Sequence, residues 1–221
     1  MTGPPGSIEG LYPFLYAGSS DLAAVLEQVR ASTVAKAEEI IDLRQRIRDS
    51  EGSRLAACAQ AMADRFAAGG RLLAFGNGGS ATDAQQLATV FLNPGAGRRP
   101  LPALSLSSDP SVLTALANDV GIDVVFARQV AAFGSRSDIA VGLSTSGNSE
   151  NLLRAFDEAS RRGMLTVGLA GCTGGRMAEV HSIDFLFVAP SASVHRIQEA
   201  QTTMYHVLWE LCQAALVHGG P

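Results

Sequence analysis

Two short segments concentrate the residue types that hold anions. The first is Gly76-Asn77-Gly78-Gly79-Ser80, and the second is Ser144-Thr145-Ser146-Gly147-Asn148-Ser149. Glycine lets the backbone come close to a ligand and take up left-handed torsions. In the second segment Ser144, Thr145, Ser146 and Ser149 carry four hydroxyls within six residues, each able to donate to a phosphate oxygen. A helix beginning just after either segment adds free N–H groups and a favourable dipole. Taken singly, each segment also reads as an ordinary helix cap. It is the occurrence of both at matching strand ends that favours a ligand.

Other phosphate chemistries fit less well. Gly76, Gly78 and Ala81 follow the loose dinucleotide fingerprint, but the next strand ends in Ser107-Ser108-Asp109, with the acid later than the usual spacing of about 20 residues. A nucleotide-triphosphate loop needs Gly-Lys-Ser/Thr, whereas Gly79 here runs directly into Ser80. The single lysine, Lys36, falls in the N-terminal helical stretch, which argues against Schiff-base chemistry.

The elements that must position these segments are legible from Arg71 onward. Short β-rich runs at 72–76, 103–107, 138–144, 164–170 and 184–189 alternate with helical stretches that start near Ser80, Asp109, Ser149 and Gly174. A last helix spans Val194 to Val217. The pattern predicts an α/β fold: a doubly wound, parallel five-stranded sheet of flavodoxin-like, three-layer type, with ligands bound at the C-terminal strand ends. Upstream, residues 1–19 read as an irregular arm rich in Gly, Pro and aromatics. Residues 20–70 read as N-terminal helices used in oligomerisation, one from Ser20 to about Asp49 and one from about Ser53 to Ala68, closed by Gly69-Gly70. Residues 71–221 form the α/β domain.

Composition narrows the partners. With 221 residues and 47% hydrophobic content the chain can build a full core. A net charge of −4 without a Lys/Arg stripe argues against direct nucleic-acid binding. Cys58, Cys172 and Cys212 lack disulfide or zinc-knuckle spacing. No leader and no apolar run of membrane-spanning length are visible, so the expectation is a cytoplasmic protein with no membrane partner.

Four blocks in order, FGNGGSATDAQ, LTALANDVGIDVVFARQV, STSGNSENLLRAF and RIQEAQTTMYHVLWEL, resemble the sugar isomerase (SIS) domain family. Within it the likeness is to the phosphoheptose isomerases and the related DnaA initiator-associating proteins, over about Asp21 to Cys212. The resemblance implies a homotetramer with sites between subunits and a phosphorylated sugar of the heptose phosphate class as partner, sedoheptulose 7-phosphate being the substrate. It implies substrate contacts from Asn77, Gly78, Gly79 and Ser80, from Asn118 and Asp119, and from a phosphate cradle of Ser144, Thr145, Ser146 and Ser149. Gln198 and His206 match two further active-site positions, the candidates for catalysis.

The family's zinc enzymes place a His and, four residues on, a Glu on the helix after the first loop, as metal ligands. Those positions here are Gln86 and Val90. Aldose–ketose isomerisation needs a base at the carbon and a stabiliser for the enediolate oxygen, and valine supplies neither. The expectation is therefore no zinc and no other cofactor. His195, Glu199, Asp83 and Asp119 are the side chains available to replace the base. Three readings follow: an isomerase with altered catalysis, a non-catalytic phosphosugar-sensing regulator, or an adaptor.

Overall fold

The computed structural model describes residues 22–218, so the expected arm at 1–19 and the cap at Ser20-Asp21 lie outside the described residues. The chain divides into two units, residues 1–41 and 42–221. Helix α1, Leu22–Ala67, begins in the first and ends in the second. In the first unit its apolar residues Val25, Leu26, Val29, Val34 and Ile41 are exposed.

This single 46-residue helix replaces the two helices expected before the first strand. The expected break fell near Gly52, and a helical glycine costs only about 1 kcal/mol against alanine. Leu43, Ile47, Leu55, Cys58, Met62 and Phe66 continue one buried stripe through that point. Each such side chain contributes roughly 1.5–3 kcal/mol when buried, so the stripe outweighs the glycine. Arg54 adds an ion pair to Glu51 at 2.6 Å and stacks over the Phe187 ring.

The second unit is a parallel sheet of β1 (Leu72–Gly76), β2 (Ala103–Ser105), β3 (Ile139–Ser144), β4 (Leu165–Gly171) and β5 (Phe185–Ala189), in the order β2-β1-β3-β4-β5. The helices are α2 (Gly79–Leu92), α3 (Pro110–Val120), α4 (Val125–Phe133), α5 (Glu150–Arg161) and α6 (Val194–His218). Strands β1, β3 and β4 are buried along their whole length, as parallel strands covered on both faces must be. Phe75 of β1 packs on Phe126 and Phe156, with ring centroids 5.6 and 5.3 Å away.

Two expected elements come out shorter. β2 stops at Ser105 rather than 107, because the Ser105 hydroxyl accepts from Ser107 N and its carbonyl from Ser108 N, turning the chain away. The helix expected near Gly174 is one tight turn, Gly175–Ala178. Its amides at Arg176 and Met177 bond to Asn148 and Gly147 instead of building a helix. The helix expected near Asp109 does start there, since Asp109 Oδ1 accepts from Ser111 N and Val112 N, but Gly121 divides the stretch into α3 and α4.

Candidate functional site

The strand order reverses direction between β1 and β3, and in open parallel sheets that switch point is where a ligand crevice opens. The two anion-type segments follow these two strands. Gly76–Ser80 leads from β1 into α2, and residues 144–149 lead from β3 into α5. A reciprocal amide pair locks them together. Asn77 Nδ2 donates to Asn151 Oδ1 at 2.9 Å, and Asn151 Nδ2 donates to Asn77 Oδ1 at 3.0 Å. Asn151 is buried and Asn77 exposed, so the pair is half-buried.

The helix ends behind the two turns are not equivalent. At the α2 end the amides of Ser80 and Ala81 already donate to the Asn77 and Gly78 carbonyls. At the α5 end Ser149 occupies the N-cap position, yet its hydroxyl makes no cap hydrogen bond. Ser149 thus stands at the N-cap position without the side-chain bond that usually goes with it. Ser146, exposed, accepts from Asn148 N at 3.3 Å, and buried Ser144 closes the turn by accepting from Gly147 N at 3.0 Å. Thr145 is half-buried between them.

The N-terminal half of α6 packs beside the first turn. Gln198 Nε2 donates to Asp83 Oδ2 at 2.8 Å, and the same amide nitrogen lies 2.7 Å from where a Cβ on Gly79 would sit. Any side chain at position 79 would displace Gln198. Burial pushes the Asp83 carboxyl up, against the hydrogen bond from Gln198 that draws it down. Two turns further along α6, His206 Nδ1–H donates to the Thr202 carbonyl at 2.8 Å, which leaves Nε2 as the free ring nitrogen. Its ring stacks on fully buried Tyr205, with centroids 4.9 Å apart.

Other positions named from the sequence are arranged differently. Asn118 and Asp119 are exposed at the end of α3, where Asn118 Nδ2 donates to Asp119 Oδ1 at 3.0 Å. His195 is exposed, and Glu199 pairs with Arg196. Gln86 is exposed and Val90 half-buried on α2. Gln86 and Val90, the two positions that the resemblance assigns to zinc, thus present an amide and a valine, and the two further active-site positions add one imidazole and the Gln198 amide, already engaged by Asp83. That donor set does not fit zinc, which is held by His, Cys and carboxylate groups.

Three contributors were not singled out from the sequence. Asn151 could have been found as the polar residue in the first turn after Ser149. Gln201, three residues beyond Gln198 on the same helix face, is fully buried and donates to the Ser144 and Leu169 carbonyls at 3.2 and 3.0 Å. Its Oε1 is a buried oxygen without a hydrogen-bond partner among the described residues. Arg176 follows a Gly-Gly pair at the end of β4, the same strand-end position as the two turns. Away from the crevice, burial pushes the Cys58 and Cys212 thiols up to about 12, so both stay protonated.

A doubly wound α/β domain with a hydroxyl-rich turn at its switch point defines a small-ligand-binding protein of the nucleotide- or sugar-phosphate-type architecture. The chain belongs to the SIS domain family, whose profile matches residues 37–171. It is 44% identical over 177 residues to a phosphoheptose isomerase of Pelodictyon phaeoclathratiforme, covering 79% of this chain and 83% of that protein. It is 46% identical over 175 residues to a phosphoheptose isomerase of Solidesulfovibrio magneticus, covering 79% and 84%. The phosphoheptose isomerase of Neisseria gonorrhoeae superposes with a TM-score of 0.77 at 34% identity, covering 84% of this chain and 99% of that one.

Proposed function

We propose that this protein binds a phosphorylated sugar of the heptose phosphate class, such as sedoheptulose 7-phosphate, and turns it over slowly or not at all. The observation that carries the binding half is the Ser149 hydroxyl, uncapped at the α5 N-terminus beside Ser146. A dianionic phosphate there gains hydroxyl donors and the helix dipole together. In this reading Asn77, Gly78, Gly79 and Ser80 contribute the sugar contacts, together with Gln198 and His206. The names of the relatives support the choice of sugar.

The chemistry half rests on Gln86 and Val90. Neither provides the ligand or the proton carrier that the resemblance places there, and the reading is of a protein without stoichiometric zinc. One specific observation favours a second reading, an isomerase with a replaced base. Asp83 lies in the crevice against Gln198, and its carboxyl is held toward the protonated form by burial. Calorimetry with sedoheptulose 7-phosphate, an assay of its conversion and elemental analysis separate the possibilities. Binding without conversion and without zinc supports the first reading. Conversion without zinc supports the second, and absence of binding leaves an adaptor.

The same reading takes the protein as a cytoplasmic homotetramer. No single helix among the described residues is long and apolar enough to cross a membrane. Val25, Leu26, Val29, Val34 and Ile41 give α1 exposed apolar surface suited to another copy. Light scattering that finds a monomer at micromolar concentration removes the assembly and any site shared between subunits.

A further inference from the structure

The segment after β4 lies against the 144–149 turn so closely that neither side has room for another carbon. A Cβ on Gly147 would sit 1.9 Å from Gly174 O, and one on Gly175 would sit 2.4 Å from Ser146 O. Met177 N donates to Gly147 O at 2.9 Å, and Arg176 N donates to Asn148 Oδ1 at 3.0 Å. The Arg176 backbone is thus fixed to the cradle by its own amide. From that anchor its Nη1 reaches Glu150 Oε2 at 2.8 Å.

Glu150 is the first residue of α5, directly after Ser149. Its other carboxylate oxygen accepts from Arg154 Nε at 2.8 Å. Arg154 first and Arg176 second hold this carboxyl below the usual carboxylate range. One carboxylate at the mouth of the cradle therefore has two guanidinium partners. Arg154 belongs to the same helix, whereas Arg176 is delivered by the segment that also braces the turn.

A phosphate arriving at the α5 N-terminus meets a like charge in Glu150. Exposed ion pairs are weak and exchange readily, and a guanidinium binds phosphate through paired, charge-assisted hydrogen bonds. We propose that Arg176 is the cation of the phosphate cradle and a specificity-determining residue. On binding of a sugar phosphate its guanidinium passes from Glu150 to the phosphate oxygens, while Arg154 keeps Glu150 neutralised. This rests on the reading of residues 144–149 as the phosphate site.

Calorimetry with sedoheptulose 7-phosphate, free sedoheptulose and inorganic phosphate tests it across a salt series. Arg176→Ala keeps the backbone amide that bonds Asn148, so it removes the charge and leaves the brace; a thermal melt checks this. The expected result is roughly tenfold weaker binding of the heptose phosphate and of inorganic phosphate. A flatter salt dependence and partial recovery in Arg176→Lys should accompany it. Glu150→Gln should tighten both a few-fold. Unchanged affinity in Arg176→Ala overturns the proposal, as does a loss that leaves the salt dependence unaltered, which marks a merely structural role. If the parent protein binds no heptose phosphate, the cradle reading itself fails, and this inference with it.

Discussion

The turn after β3 and the turn after β1 have similar sequences but are held in different ways. Residues 144–149 are braced by backbone: Gly147 faces the Gly174 carbonyl and the Met177 amide, and Gly175 faces the Ser146 carbonyl. Residues 76–80 are held mainly through side chains, by the Asn77–Asn151 pair and by Gln198 against Gly79 and Asp83. A backbone-built subsite tolerates exchange of surrounding side chains. A side-chain-built one changes its chemistry with a few substitutions. On the proposed reading, the backbone-braced turn is the anion-holding part of the site, and Gln86 and Val90 lie on the helix that follows the side-chain-held turn.

The strongest way to break the comparison is to add one methyl group to each turn. Gly147→Ala puts a Cβ into backbone at a φ of 68° and should cost several kcal/mol, abolishing heptose phosphate binding. Gly78→Ala, with a φ of 55° and nothing within 4 Å of the new Cβ, should cost only the left-handed penalty of about 1–2 kcal/mol. Equal losses in thermal denaturation would show that the two turns are held alike.

The next test rebuilds the altered half. Gln86→His with Val90→Glu places an imidazole and a carboxylate at i and i+4 on one face of α2. Together with the His206 imidazole this pair should give the variant about one zinc per chain and measurable conversion of sedoheptulose 7-phosphate. Zinc in the parent protein, or conversion by it at ordinary enzymatic rates, would refute the account of these two positions.

A smaller effect is expected from the hydroxyls. Ser146→Ala with Ser149→Ala should weaken heptose phosphate binding by roughly 1.5–3 kcal/mol for each hydrogen bond lost to a charged group, with little change in melting temperature. The stability should hold because the Ser149 hydroxyl makes no cap bond. A destabilised protein with unchanged affinity would return Ser149 to a capping role.

The smallest effect concerns Asp83. Burial raises its carboxyl above the unfolded value, so the native state binds the proton more tightly. Stability from this group is full below the unfolded pKa and is lost as pH rises through the folded one. Asp83→Asn should remove that decline above about pH 4 while Asn still accepts from Gln198. An unaltered stability profile across the acid range would show that Asp83 is not desolvated enough to matter.

Much of the fold was readable because parallel strands are continuous apolar runs and the residue types at their ends mark where helices begin. LLAFG is β1 as expected, and Asp109 and Ser149 mark helix starts. The break expected between Asp49 and Ser53 does not occur in α1, because the buried stripe on either side of it holds the helix continuous. The two anion-type turns were legible from their residue types, whereas the absence of a His/Glu pair at Gln86 and Val90 could be read only through the resemblance to the family's zinc enzymes. What sequence alone determined here was local: which segments are strands, which turns carry donors, and which two side chains are missing. Only the tertiary structure decided which donors remain free. Whether Ser149 caps its helix, whether Asn77 is spent on Asn151, and whether Arg176 reaches the cradle from a segment 27 residues beyond Ser149 all depend on contacts between strand ends that are distant in the chain. The strand order of the sheet sets those contacts, and no short-range pattern encodes it.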